Sequence, residues 1–280
     1  MKGKTVVITG GTSGIGEVAA VALAKIGARI VLVARDKTRG NATLARLRNS
    51  GTDIAHSVHF ADLSRLAEMK RVAAQIADKE PRIDILINNA GAVFAKRELT
   101  EDKFERTFAL NHVAYFVITE GLRERLLASG PARIINTASA AHQGASLDFD
   151  DLQSANSYGA MKAYGRSKLC NILFTRELAR RLRGTGVTAN CLHPGFVATR
   201  FGDQSGALMS RLVWLAKRFA ISPAKGAETI VYLASSPGVA ETSGQYYYKC
   251  APITPSPHAQ DDRSALLLWQ RSVTLAGIKE

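Results

Sequence analysis

Short apolar, β-branched runs alternate with longer helix-like segments along the chain, and this alternation predicts an α/β fold with a doubly wound parallel sheet. Several of the runs are apolar nearly throughout, as strands covered on both faces must be. A glycine-rich string, TGGTSGIG at 9–16, sits between the first apolar run and the first helix pattern. The 280-residue length suits one such domain, a Rossmann-type sheet of about seven strands with helices on both faces.

Strands are expected at 4–9, 29–34, 53–60, 82–88, 132–138, 187–193 and 244–249. Helices are expected at 17–26, 66–77, 103–127, 163–183 and 224–234. No repeat or low-complexity linker interrupts the alternation. The whole of 1–280 therefore reads as one domain, with an irregular insert at 195–222 and a C-terminal extension at 251–280.

Composition narrows the class. At 46% hydrophobic and 22% charged residues, the chain is neither disordered nor fibrous. The net charge is 37 − 24 = +13, which attracts phosphorylated cofactors, acidic lipid surfaces or nucleic acids, or simply keeps the surface solvated. No Lys/Arg run reaches five residues, so nucleic acid is not expected as a partner. Cys170, Cys191 and Cys250 are widely spaced without a CxxC, as for reduced, buried thiols of a cytosolic protein. The start, MKGKTVVITGG, lacks a signal peptide's apolar region, and the longest uncharged stretch, TFALNHVAYFVIT, is too short to span a bilayer. A cytoplasmic protein is the expectation. The six His residues form no cluster with Cys or acids, so no metal is expected.

The glycine string has a physical purpose in its position. Glycines permit a tight turn and close approach of backbone to pyrophosphate, and the following helix N-terminus presents free N–H groups and a positive dipole end. The spacing is TGxxxGxG. It is followed by NNAG (88–91), Asn111 in the next helix, NTAS ending in Ser139, YGRSK with Tyr164 and Lys168, and Pro194-Gly195 with Thr199 four residues beyond Gly195. In this order, over residues 4 to about 250, these motifs resemble the short-chain dehydrogenase/reductase family. SKLCNILFTRELARRL (167–182), the DFDDLQ spacer and the Trp269 tail are similar to its retinol dehydrogenase-like branch.

The resemblance implies a nicotinamide dinucleotide held by Gly10, Thr12, Ser13, Gly14, Ile15, Gly16, Asn89, Ala90, Gly91, Tyr164, Lys168, Pro194, Gly195, Val197 and Thr199. It also implies an adenine position at Asp62 and Leu63, although Asp62 equally fits a cap for the following helix. At the end of the second strand Ala34 stands where NAD-preferring relatives carry an acid, and Arg35 follows. An Arg pairs bidentately with a 2′-phosphate, so NADP(H) is the expected cofactor. Asp36 is one step late and suits a helix cap.

Carbonyl reduction needs a proton for the nascent alkoxide, and a Tyr hydroxyl with a pKa of about 10 gives it up slowly near neutrality. Lys168, one helical turn after Tyr164, and an oxidised nicotinamide are both expected to lower that pKa. The resemblance gives Ser139 the substrate oxygen and Asn111 a helix bend and a water link. Tyr158 and Lys162 in YGAMK also fit YxxxK, but they lie about 120° away around a helix and near its expected start. Tyr164 is therefore preferred, with Tyr158 at the substrate entrance. Of the histidines, His112 is read as packing and His193 as organising backbone.

Within 203–221, Leu208, Leu212, Leu215 and Phe219 form an apolar stripe widened by Met209, Val213 and Trp214 and flanked by Arg211 and Arg218. Three readings stand: a lid over a hydrophobic substrate, a core helix, or an interfacial helix giving peripheral membrane contact. The expected activity is oxidoreduction of a carbonyl/alcohol pair on a hydrophobic aldehyde, ketone or retinoid-like small molecule. Alternatives are reduction of an activated C=C bond and a non-catalytic NADP-binding regulator. The resemblance implies a homodimer or homotetramer through the 103–127 and 163–183 helices, an interface the C-terminal extension would partly block.

Overall fold

The computed structural model describes residues 1–50, 53–197 and 221–278. Seven parallel strands form one sheet: β1 (Thr5–Thr9), β2 (Arg29–Ala34), β3 (Ser57–Phe60), β4 (Ile85–Asn88), β5 (Arg133–Thr137), β6 (Thr188–Leu192) and β7 (Tyr246–Tyr248). They lie in the order β3-β2-β1-β4-β5-β6-β7, and a short β8 (Ala251–Pro252) adds antiparallel to β7 at the edge. The doubly wound sheet expected from the sequence is present. Its eighth strand comes from the segment read only as an extension.

The helices are α1 (Gly14–Lys25), α2 (Lys37–Arg48), α3 (Leu66–Lys79), α4 (Arg106–Phe108), α5 (Ala114–Gly121), α6 (Arg123–Leu127), α7 (Ala160–Arg181), α8 (Pro223–Ser235) and α9 (Asp262–Ala276). Residues of β1, β2, β4, β5 and β6 are buried on both faces nearly throughout, as their apolar runs require, whereas the edge strands β3 and β8 are half-buried and exposed, respectively. On one face Ile8, Ile30 and Leu32 pack with Ala20 and Leu23 of α1 and Ile230 and Leu233 of α8. On the other, Val7, Val31, Leu86 and Ile134 pack with α3, α5 and α7. Because β1 pairs with both β2 and β4, the crossover direction reverses there and opens a crevice at the strands' C-terminal ends.

Two expectations need correction. The single helix over 103–127 is broken: a wide π-turn at Ala109–Val113 separates α4 from α5, and α6 follows a break at Leu122. The extra residue in that turn carries Asn111 inward, a use to which such bulges are often put. The third strand starts at Ser57 and not at 53, because His56 N–H bonds to the Ile54 carbonyl and the ring Nδ1 accepts from Ile30 N at 3.0 Å. The C-terminal extension packs on α7. The α9 indole of Trp269 stacks on Phe174 of α7 (5.9 Å, 20°) and lies beneath the Arg181 guanidinium (4.3 Å). The chain's own tail thus covers part of the α7 face that the resemblance implied for oligomer contact.

Cys170 and Cys191 are buried, as expected, whereas Cys250 is half-exposed in a left-handed turn with φ 61°. Among the described residues no helix is long and apolar enough to cross a membrane.

Candidate active site

At the crevice, the Thr9 hydroxyl accepts from Asn89 N (3.0 Å) and Ala90 N (3.1 Å) and clamps the end of β1 to the end of β4. Asn89 Nδ2 donates to the Gly10 carbonyl at 3.1 Å. Gly10 has φ +66°, and a Cβ there would stand 2.7 Å from Ala90 Cα; one on Gly16 would collide with the Gly10 carbonyl and the Asn89 amide. Both positions therefore demand glycine for close approach. Ser13 precedes α1 without a side-chain cap, so the first amides of that helix are open toward the crevice. Thr12 and Ile15 are half-buried beside them, and Ser13 is exposed. Ile15 and Val197 meet over Gly226 of α8, where a Cβ would lie under 3 Å from each. Pro194 and Gly195 lead into this contact, and Gly195 N donates to His193 Nδ1 at 3.2 Å. Thr199 and the whole 203–221 stripe, with Leu208, Met209, Arg211, Leu212, Val213, Trp214, Leu215, Arg218 and Phe219, lie outside the described residues apart from Ile221.

At the end of β2, Ala34 is buried against α2, while Arg35 is exposed and has no ion pair among the described residues. Asp36 is committed elsewhere: it caps α2 by accepting from Arg39 N at 2.8 Å. That cap holds Asp36 below the usual carboxylate range, although the side chain is exposed. At the end of β3, Leu63 is buried and Asp62 accepts from both N and Oγ of Ser64 (3.0 and 2.8 Å). Asp62 does not cap the next helix. Asp102 does so from outside, accepting from Leu66 N at 2.7 Å, a long-range contact invisible to local reading. The glycine turn, open amides and unpaired Arg35 together fit a phosphorylated dinucleotide.

The catalytic candidates converge beyond β5. Ser139 opens the 3₁₀ turn Ala140–Gly144, and its Oγ accepts from Ala141 N at 3.2 Å. Gly165 of α7 lets the helix approach this turn, since a Cβ there would be 2.7 Å from the Ala141 carbonyl. That approach brings Tyr164 into hydrogen-bond contact with Ser139. Lys168, buried one turn on, donates from Nζ to the Thr137 carbonyl at 2.9 Å and sits 5.7 Å from the Tyr164 ring centre. Asn171 Nδ2 donates to the same carbonyl at 3.2 Å. Asn111 holds Ala92 N and O with its amide (2.9 and 3.0 Å) and donates to Ser167 Oγ at 2.9 Å. Gly91 lies between them: a Cβ would be 3.2 Å from Asn111 Oδ1 and 3.5 Å from Lys168 Nζ.

Burial dominates the electrostatics of the cofactor-free site. Burial pushes the Tyr164 phenol up to about 12, against which the Ser139 hydrogen bond pulls downward. Burial also brings the Lys168 ammonium down to about 7. In the cofactor-free protein desolvation is the largest influence on both groups.

Tyr158 precedes α7, whose N-cap is Gly159, and its hydroxyl donates to the Phe94 carbonyl at 2.8 Å. It is a structural tie, separate from the Ser139–Tyr164–Lys168 group. His112 is fully buried against Ser272 of α9 (Nε2 to Oγ 2.8 Å), and burial holds it neutral down to about 3. Among the described residues no cluster of His, Cys, Asp or Glu suits a metal. Sequence reasoning missed Thr9, Gly165 and Asn171. Gly165 carried a signal: a glycine inside a 22-residue helix costs about 1 kcal/mol and marks a close approach.

A crevice that fits a dinucleotide, beside a half-buried Ser139 and the buried Tyr164 and Lys168, defines the class as an α/β oxidoreductase. The short chain dehydrogenase family model matches residues 4–208. Retinol dehydrogenase 14 of Mus musculus is 40% identical over 294 residues, covering 99% of this chain and 87% of that protein. Retinol dehydrogenase 13 of Homo sapiens is 38% identical, with 99% and 86% covered. Among solved structures, an uncharacterized protein from Mycobacterium Paratuberculosis superposes with TM-score 0.80 at 30% identity, covering 99% of this chain and 95% of that one. An actinorhodin polyketide ketoreductase with NADPH has TM-score 0.68 at 26% identity, with 87% and 94% covered. The chain belongs to the short-chain dehydrogenase/reductase family and to its retinol dehydrogenase-like branch.

Proposed function

We propose that the protein transfers hydride between NADP(H) and the carbonyl/alcohol carbon of a hydrophobic aldehyde, ketone or retinoid-like substrate, working in the reducing direction. The observation that carries this is the meeting of Ser139, Tyr164 and Lys168 at the C-terminal end of β5, beside the glycine turn. A bound nicotinamide supplies the hydride. Ser139 Oγ orients the substrate oxygen, and the Tyr164 hydroxyl delivers the proton to it. A phenol pushed up to about 12 stays protonated at neutral pH and is ready as the acid. Lys168, held by the Thr137 carbonyl, carries charge that eases tyrosinate formation, and Asn111 fixes the helix bend behind it. Arg35 supports the preference for NADP(H), because it stands exposed where relatives preferring NAD have an acid one residue earlier. The NADPH of the actinorhodin ketoreductase complex supports the cofactor, and the names of the retinol dehydrogenases support a retinoid-like alcohol/carbonyl pair.

Gly10, Thr12, Ser13, Gly14, Ile15, Gly16, Asp62, Leu63, Asn89, Ala90, Gly91, Pro194, Gly195, Val197 and Thr199 complete the proposed cofactor set. The reading includes a cytoplasmic location, with peripheral membrane contact through the basic surface as the alternative. A homodimer or homotetramer built on α7 has to use what α9 leaves uncovered.

The test is an NADPH-oxidation screen over aldehydes, ketones and retinoids with product analysis. Alcohol products support the assignment. Saturation of a C=C bond, or tight NADPH binding with no turnover on the panel, would replace it by one of the rivals.

A further inference from the structure

We propose that His142 is a positioning residue: its imidazole holds the main chain of Ser139 in place and ties that segment to Ser256 of the C-terminal extension, making the tail part of the support of the active site. This rests on the reading of Ser139 as the group that meets the substrate oxygen.

The ring is fully buried. Its Nε2 accepts from the backbone N–H of Ser256 at 3.1 Å. A backbone amide only donates, so Nε2 carries no proton. The single proton of the neutral ring is then on Nδ1, which lies 2.7 Å from the Ser139 carbonyl oxygen and donates to it. Burial holds the ring neutral, in keeping with this arrangement. The Tyr246 ring stands edge-on at 5.1 Å and fixes the plane of the imidazole.

Ser139 is consequently held at both ends. Its carbonyl receives His142 Nδ1 and the His142 amide at 3.2 Å, and its Oγ meets Ala141 N and the Tyr164 hydroxyl. A 3₁₀ turn of five residues has little rigidity of its own. Ser256, 114 positions along the chain, supplies the external anchor, and β8 and α9 seat Ser256 against β7 and α7. Displacing the Ser139 main chain moves Oγ away from both Tyr164 and the substrate oxygen, and small misplacements of a catalytic group are costly.

The two nitrogens do separate work, so two conservative variants separate them. In His142→Asn the amide nitrogen replaces Nδ1: the Ser139 bond stays and the Ser256 bond is lost. In His142→Gln the longer side chain offers an oxygen to Ser256 and gives up Ser139. Full-length enzymes are compared by kcat, NADPH affinity and limited proteolysis of the tail. His142→Gln is expected to keep an uncleaved tail and wild-type NADPH affinity while kcat falls about 10–100-fold. His142→Asn is expected to release the tail to protease and, with the Ser139 bond kept but its external anchor lost, to lower kcat by a smaller factor of about 3–10. Wild-type kcat in His142→Gln, or losses in both variants that simply follow tail cleavage, would overturn the proposal. If the wild-type chain binds NADPH but reduces no carbonyl, the functional assignment fails by itself. The ¹⁵N shifts of the His142 ring then decide the present proposal: a proton on Nδ1 supports it and a proton on Nε2 refutes it.

Discussion

At the N-terminus of α1, Ser13 leaves the first amides uncapped, and Arg35 stands in solvent with no ion pair among the described residues. Around Lys168, at the other end of the same crevice, polar groups are buried and bonded: Lys168 and Asn171 share one carbonyl, and Asn111 spans Ala92 and Ser167. The first region is built to be completed by an anion. The second is held largely by its own hydrogen bonds, although Asn171 Oδ1 has no hydrogen-bond partner among the described residues, and its pKa values are governed by desolvation more than by charge. A binding end needs unsatisfied donors, since partners already made would have to be broken. A proton-transfer end needs groups that do not move.

The sharpest test of this contrast is at the buried end. Tyr164→Phe should lower kcat by about 10²–10⁴-fold with NADPH affinity little changed, because only the acid is removed. Tyr158→Phe should keep most activity and lose about 1 kcal/mol of stability, the value of its bond to Phe94. The opposite outcome in steady-state kinetics would hand the reaction to the YGAMK pair.

At the open end, Gly16→Ala forces a methyl against the Gly10 carbonyl and Asn89. NADPH binding, followed by fluorescence titration, should weaken by at least about tenfold, the range of an overpacked contact. Wild-type affinity would show that the turn is looser than its geometry.

Arg35→Ala should weaken NADPH by about 10–100-fold and leave NADH unchanged, as expected for one lost charge-assisted pair. Equal weakening of both cofactors in a binding assay would remove Arg35 from the 2′-phosphate.

The smallest effect is on stability. Lys168 falls from 10.5 to about 7 on folding, so between those values the unfolded chain binds more protons and stability rises with pH. Cys170 and Cys191, raised from 9.0 to about 12, oppose this above pH 9. Urea midpoints of the cofactor-free protein should therefore rise from pH 7 to 9, and Lys168→Met should flatten that rise. An unchanged slope in the variant would show that Lys168 keeps its proton in the fold.

The cofactor end was legible because its determinants are local. Gly10, Gly14 and Gly16 lie within one turn, and Arg35 is read from its place after an apolar strand. Tyr164 and Lys168 were legible too, since four residues on a helix is a fixed distance. The bend at Asn111 was legible only through the family resemblance, because a π-turn has no local signature in an apolar run; in the fold the Asn111 amide reaches across to Ala92. The Asp102 cap on α3, made across 36 positions, was not legible.

The sequence by itself determined the α/β alternation, the phosphate turn and the spacing of the Tyr164/Lys168 pair, all consequences of backbone periodicity and the missing glycine Cβ. Only the tertiary structure decided how the tail sits on α7, through Trp269 against Phe174 and Arg181, that His142 joins Ser139 to Ser256, and that burial raises the Tyr164 phenol. The reason is common to all three: burial and long-range hydrogen bonds depend on which distant segments meet, and local spacing does not encode that.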